Sequence, residues 1–392
     1  MGRRQTESAL FVIGARREDR AKSASSFAFW GCLAVSLLYS LLAWIFRDPF
    51  VNLLGGVHPA VHAHAAEYIT VTVVIGGTAA STATLFSHLV RSEGRSLHAS
   101  IGVMLGGILN IALDPLFMFV ILPPGRETLA AAVATALSNT VSLIYFIIVL
   151  AMLRKKSVLS VRPDRRMLQD GIPEETMNAG ISACVMTLFE NISYAVMDKL
   201  MSFAGMPMQA GIGVAKKVNM LAHSIVRGIA QGALPLIAYN YSARNLKRMR
   251  DSFRTARNIA VAAAMVCMLI SLIFSRALIG LFIHSDSGSL DYGISFLRIL
   301  CVGGPFSAAA YTIISFFQAI GEGRKSFFLA ILRKGVVDIP MMFLLNTFIP
   351  VYGIVMATPI ADVICCLAAF IFYRVCMKRL MNEMSQGREG KA

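Results

Sequence analysis

The chain has 392 residues, 56% hydrophobic and 15% charged, with a mean hydropathy of +0.65 and a formal net charge of +15. That composition excludes an ordinary soluble domain and fits a protein that crosses a membrane many times. The positive balance does not indicate nucleic acid. Of the 37 Lys and Arg residues, 27 fall in six segments: 14–24, 91–95, 154–166, 242–257, 324–334 and 374–392. The loops between these segments hold only Arg47, Arg126 and Arg276. This is the positive-inside pattern, so the basic loops and the C-terminus are expected in the cytoplasm, with anionic lipid headgroups as partners.

Apolar length, broken by turn and charge signals, predicts ten membrane-spanning helices. They cover 24–46, 67–90, 96–122, 127–153, 173–204, 208–239, 255–283, 290–319, 326–348 and 352–377. The expected fold is an all-α, two-lobed helical bundle. An N-terminal lobe spans 1–153, a cytoplasmic linker 154–172, and a C-terminal lobe with a basic tail 173–392. The seven cysteines lie in or beside apolar spans without metal-ligand spacing and read as small core residues, and His58, His62, His64 and His88 show no metal spacing either.

The third span is the unusual one, because it carries Asn110, Asp114 and Pro115 in its interior. A carboxylate at mid-membrane costs roughly 2.5–3.5 kcal/mol and by default marks an ion or proton site. Asn110 and Asp114 are one turn apart on one face, and Pro115 loosens the helix beside the acid. Counting from Pro123 and Arg126, Asp114 and Thr135 both lie about 13 Å deep on consecutive antiparallel helices. An amide, a carboxylate and a hydroxyl at similar depth suit Na⁺ or a titrating proton.

In the second half, Glu190, Asp198 and Lys199 share one span, and Lys216, Lys217 and Arg227 share the next. Counting from the Gly205–Pro207 turn, Asp198 is level with Lys216, and Glu190 with Arg227, which predicts ion pairs. Asp338 and Asp362 stand beside Pro340 and Pro359, where each could stabilise a helix break. Tyr311, Phe316, Phe317, Met341, Met342 and Met356 could provide an apolar drug surface.

The chain also repeats itself. GARREDRAK at 14–22 recurs as SARNLKRMR at 242–250, and Ile75-Gly76-Gly77 as Val302-Gly303-Gly304. Glu93-Gly94-Arg95 recurs as Glu322-Gly323-Arg324, and ATALSN at 134–139 as ATPIAD at 357–362. The offsets are 228, 227, 229 and 223. Two spans precede the second copy's basic loop and none precedes the first copy's. The expectation is a six-plus-six protein from which roughly 55 N-terminal residues are missing, leaving four plus six.

Asn110-Ile-Ala-Leu-Asp114-Pro115, Gln231-Gly232-x-x-Pro235 followed by Tyr239-Asn240-Tyr241, and Gln318-Ala-Ile-Gly-Glu-Gly323 resemble signatures of the multidrug and toxic compound extrusion (MATE) family. The likeness runs from about Ala15 to Lys378 and is greatest to its DinF/MepA-like bacterial branch. The resemblance implies Asn110, Asp114 and Thr135 as the cation or proton site. It implies a substrate cavity that includes Glu190, for which Tyr311, Gln231 and Asn219 are further candidates, and the prolines at Pro115, Pro340 and Pro359 mark expected helix breaks. Family members add an acid from the first helix, which this chain lacks.

The implied function is Na⁺- or H⁺-coupled antiport of amphipathic, often cationic, organic compounds across a bacterial plasma membrane. The protein would act as a monomer, with no metal and no cofactor other than the coupling ion. A lipid-linked precursor flippase of the same superfamily and a transport-dead truncated protein are the alternatives. No Walker A, HExxH or GxSxG motif is present, so neither ATP-driven transport nor an enzyme is expected.

Overall fold

The computed structural model describes residues 18–53, 59–153, 157–169, 171–283 and 287–389. The described chain is helical, with no strand among the described residues. It divides into two compact units, one covering 15–176 and the other running from Met177 onward.

The first unit contains α1 (Glu18–Ile45), the short α2 (Arg47–Leu53), α3 (Pro59–Ile69), α4 (Gly77–Ser92), α5 (Ser96–Leu116) and α6 (Glu127–Leu153). A wide π-helical stretch, Thr70–Ile75, extends α3, and another, Phe117–Ile121, extends α5. The second unit contains α7 (Ile172–Ala204), α8 (Met206–Ser242), α9 (Leu246–Ile273), the short α10 (Ser275–Gly280), α11 (Ser287–Val302), α12 (Gly304–Ala319), α13 (Gly323–Ile331), α14 (Ile339–Phe348) and α15 (Tyr352–Glu389). The π-helical segment Leu332–Asp338 joins α13 to α14.

Six of these helices are long and apolar enough to cross a membrane, or up to eight if the bent pairs α3–α4 and α11–α12 each count as one span. The two remaining long stretches, α7 and α13–α14, carry Glu190, Asp198, Lys199, Arg333, Lys334 and Asp338. Large apolar side chains clothe the outside, Ile111 at 75% exposure and Phe119 at 80% among them. A water-soluble surface would not present that face; lipid would cover it.

From α9 onward, the second unit repeats the element order of the first. The bent pairs turn by 47° and 45° at Gly76 and Gly303. A Cβ on Gly76 would lie 3.0 Å from Ala136, and one on Gly303 would lie 3.0 Å from Pro359, the position equivalent to Ala136. Ser142 Oγ donates to the Gly102 carbonyl at 2.7 Å, and its counterpart Cys365 Sγ donates to Leu329 at 3.6 Å. Gly94 and Gly321 both have positive φ, 79° and 77°, at the turn between two spans. That turn corrects the alignment at one point: Gly94 corresponds to Gly321, not to Gly323.

Small residues bring α5 against α6. Gly102 and Gly106 face Phe146, Ser138 and Ser142, and a Cβ on Gly102 would stand 2.3 Å from the fully buried Phe146 ring. Such small-residue stripes let helix backbones approach where lipid provides no hydrophobic drive. The polar segment after α6 lies along this unit. Ser26 Oγ donates to the Arg162 carbonyl at 2.7 Å, Trp30 Nε1 to Val161 at 3.1 Å, and Glu93 accepts the Val158 amide at 2.8 Å.

In the second unit two apolar clusters sit at different levels. Phe253 stacks on Tyr373 at 4.6 Å in one, with Phe316 tilted or edge-on to them at 5.0 and 5.2 Å, and Met197, Phe296, Leu297 and Val355 fill the other. Phe316, Phe317 and Met342 are fully buried in these clusters and offer no drug surface. Gly102→Leu is expected to drive α5 off α6, seen as loss of monodisperse protein in detergent, whereas exposed Ile111→Leu leaves the yield unchanged.

Candidate functional site

In the first unit, α5 and α6 bring Asn110, Asp114 and Thr135 together. Asn110 Nδ2 donates to Asp114 Oδ1 at 3.2 Å and to Thr135 Oγ1 at 3.4 Å. Asp114 is half-buried and has no cationic side chain within ion-pair distance among the described residues. Ser138, one turn along α6 from Thr135, keeps a buried hydroxyl without a partner. Pro115 lies inside α5 and the helix widens into its π-helical end directly afterwards. The missing proline N–H and the wide turn together loosen the backbone beside the acid. The group is thus a carboxylate bonded to an amide that also reaches a hydroxyl, with a negative charge to neutralise, which is ligand chemistry suited to a hard monovalent cation or a proton.

The second unit solves the same problem differently. Asp338 accepts from Lys334 Nζ at 2.9 Å, Ser193 Oγ at 2.6 Å and Thr358 Oγ1 at 3.0 Å. Asp362 accepts from Arg333 Nε at 2.6 Å, and Arg333 also donates to Ser307 Oγ at 2.6 Å. The side chains of Arg333, Lys334, Asp338 and Asp362 are at most 5% exposed. More accessible pairs flank these sealed ones: Arg227 bonds Glu190, and Lys216 bonds Asp198.

Two tyrosines connect the layers. Lys216 and Lys334 lie 5.4 and 5.3 Å from the Tyr194 ring centre, and Arg227 and Arg333 lie 5.3 and 5.8 Å from that of Tyr311. Each aromatic face therefore spreads two cations that would otherwise crowd each other. Asn219 and His223 line a small cavity with Val226, Cys267, Ser271 and Cys301, and Gln231 is half-buried one turn beyond Arg227.

The MatE family model matches residues 11–116 and 181–344. The chain belongs to the MatE family. The matched segments contain Asn110, Asp114, Glu190, Arg227, Tyr311, Lys334 and Asp338, while Thr135 and Asp362 lie outside them. The chain is 26% identical over 384 residues to the multidrug export protein MepA of Staphylococcus aureus strain MRSA252, covering 97% of this chain and 82% of that one. It is 27% identical, with the same coverage, to MepA of Staphylococcus saprophyticus. A multidrug resistance MATE family transporter of the MOP superfamily, in an outward-facing conformation, superposes with a TM-score of 0.86 at 21% identity over 96% of this chain and 83% of that one. A MOP superfamily transporter from Pyrococcus furiosus, described as having a binding pocket of reverse polarity, gives 0.83 at 22% identity, again over 96% and 83%.

For a MatE protein the interior charge is unevenly divided, and sequence reading missed part of it. Arg333 and Lys334 were counted with a cytoplasmic basic segment, yet both are buried, each 4% exposed. Their place ten or more residues inside a helix, with Lys334 one turn from Asp338, was the signal that distinguishes them from loop residues. Ser193, Tyr194, His223, Ser307 and Thr358 carried no signal beyond lying in apolar spans. Pro359 does not break its helix: α15 runs through it without interruption. One proline removes a single N–H and leaves the rest of the ladder intact. Pro340 begins α14 after the π-helical segment, where its missing N–H removes little.

Removing one member of a sealed pair leaves an uncompensated charge, worth about 3–5 kcal/mol, whereas removing both is far milder. Arg333→Met is therefore expected to lower the thermal midpoint sharply, and Arg333→Met with Asp362→Leu to recover most of the loss, measured in detergent by scanning fluorimetry.

Proposed function

We propose that this chain is a secondary active multidrug efflux transporter of the bacterial plasma membrane that exchanges Na⁺ or H⁺ for amphipathic, often cationic, organic compounds. The observation that carries the reading is the Asp114 carboxylate. It lies inside an apolar helix next to a proline and a π-helical turn, bonded to the Asn110 amide that also reaches Thr135, with no cationic side chain paired to it among the described residues. Such a group is expensive in lipid unless an exchangeable cation or proton neutralises it. Membership of the MatE family and the likeness to proteins named multidrug export protein MepA support the export role.

Cation or proton arrival at Asp114 removes the net charge and relieves the need for the helix to open at Pro115. The state with the site filled therefore differs in free energy from the empty one, and a transmembrane ion gradient biases the alternation between them. On the substrate side, Glu190 attracts organic cations, with Arg227 as its internal competitor, while Tyr311 is buried with Arg227 and Arg333 against its ring and offers no free face. Asn219 and Gln231 are the nearby amides of the cavity. The basic loops and C-terminus face the cytoplasm, the ion is the sole cofactor, and a single copy suffices.

Asp114→Asn keeps the size and hydrogen-bonding capacity of the side chain while removing its charge. Cells expressing it are expected to lose ethidium efflux driven by an imposed Na⁺ or H⁺ gradient, with membrane abundance unchanged. Unaltered efflux would remove Asp114 from the coupling step.

A further inference from the structure

We propose that Lys334 is a tethered counter-ion: its ammonium does for Asp338, at the threonine contact shared by the two units, what an exchangeable cation does for Asp114, and so confines ion coupling to one half of the molecule. The inference rests on the first-unit site proposed above and adds what the second unit does.

The repeat makes the comparison specific. Leu329 corresponds to Gly102, and Cys365 to Ser142, because the same side chain to carbonyl bond joins them. Stepping along α13 from Leu329, the π-helical segment Leu332–Asp338 takes up one extra residue. That step sets Asp338 against Asn110. On the neighbouring helix Thr358 corresponds to Thr135. The contacts agree: Asn110 bonds Thr135 in one unit, and Asp338 bonds Thr358 in the other.

Both units thus place a carboxylate on or one turn from the same threonine contact. Only the second places an ammonium on it, from Lys334 four residues before the acid, whereas the register sets Asp114 one turn further along, against Met342. Lys334, Ser193 and Thr358 together give Asp338 three donors, and Tyr194 covers the ammonium. The remaining charges nearby, Arg333 and Asp362, neutralise each other. The side chains of Arg333, Lys334, Asp338 and Asp362 are at most 5% exposed, so among the described residues this site holds no uncompensated charge and is closed to a hydrated ion.

The test uses the purified full chain in detergent at pH 8.5, with melting temperature read in NaCl against choline chloride. Asp114→Asn sets the baseline and judges the first-unit site alone: if it keeps the parent's cation response, that site assignment fails. Adding Lys334→Gln to Asp114→Asn leaves a carboxylate, an amide and two hydroxyls around the vacated ammonium position. The double variant is expected to gain a saturable, Na⁺-specific rise in melting temperature over the Asp114→Asn baseline. A folded double variant with no such gain overturns the proposal, whatever the baseline shows.

The converse variant covers a failure to fold. Asn110→Lys recreates the lysine–aspartate spacing in the first unit. It is expected to melt above the parent in choline and to lose gradient-driven ethidium efflux. A melting temperature equal to or below the parent's, or retained efflux, overturns the proposal.

Discussion

A charge inside a slab of hydrocarbon must be neutralised, and how each half of this protein does so organises nearly everything else about it. In the second unit the interior carboxylates meet interior cations: Asp338 with Lys334, Asp362 with Arg333, Glu190 with Arg227 and Asp198 with Lys216. Hydroxyls from Ser193, Ser307 and Thr358 fill out the sealed pairs. Desolvating two ions costs several kcal/mol each, so such pairs give specificity of structure more than stability. In the first unit Asp114 has only an amide on it. On the proposed reading its neutralisation comes from outside, and that dependence is what a gradient acts upon.

The packing serves this arrangement. Along α8, α13–α14 and α15, the charged residues fall between one apolar cluster around Phe316 and another around Phe296. The Arg333–Asp362 and Lys334–Asp338 pairs between them are sealed from the surroundings. In the first unit, Gly102 and Gly106 allow α5 to lie close enough to α6 for Asn110 to reach Thr135. Gly76 and Gly303 let the bent helices approach their neighbours without a Cβ in the way. The two halves are built on one plan and diverge at the few positions where charge is placed.

Much of this was legible in the sequence. Apolar length located the helices, and the ordered repeat of short motifs anticipated the matching element order. The one-turn spacing of Asn110 and Asp114, with Thr135 at equal depth, anticipated a contact that the structure shows. Depth counting from Gly205–Pro207 paired Glu190 with Arg227 and Asp198 with Lys216. What failed has a common cause: charge was read as a marker of water. Arg333 and Lys334 end a run of basic residues whose first members, Arg324 and Lys325, lie at the start of α13. Nothing local separates them from that run except helical distance. Their partner Asp362 is 29 residues away, and no spacing rule finds such a pair. Pro359 misled for the opposite reason, since a proline costs one hydrogen bond and a helix packed along its length tolerates it.

The most direct test of the account is to find which interior carboxylate reacts with a hydrophobic carbodiimide in the intact protein. The reagent enters lipid and reacts with carboxyl groups that no cation holds, while carboxylates paired with an ammonium or guanidinium are shielded from it. Peptide mass spectrometry after labelling in membranes reads each site separately. The account predicts modification at Asp114, suppressed by the coupling cation or by alkaline pH, with Asp338 and Asp362 unlabelled. Labelling at Asp338 or Asp362 with Asp114 untouched would contradict it.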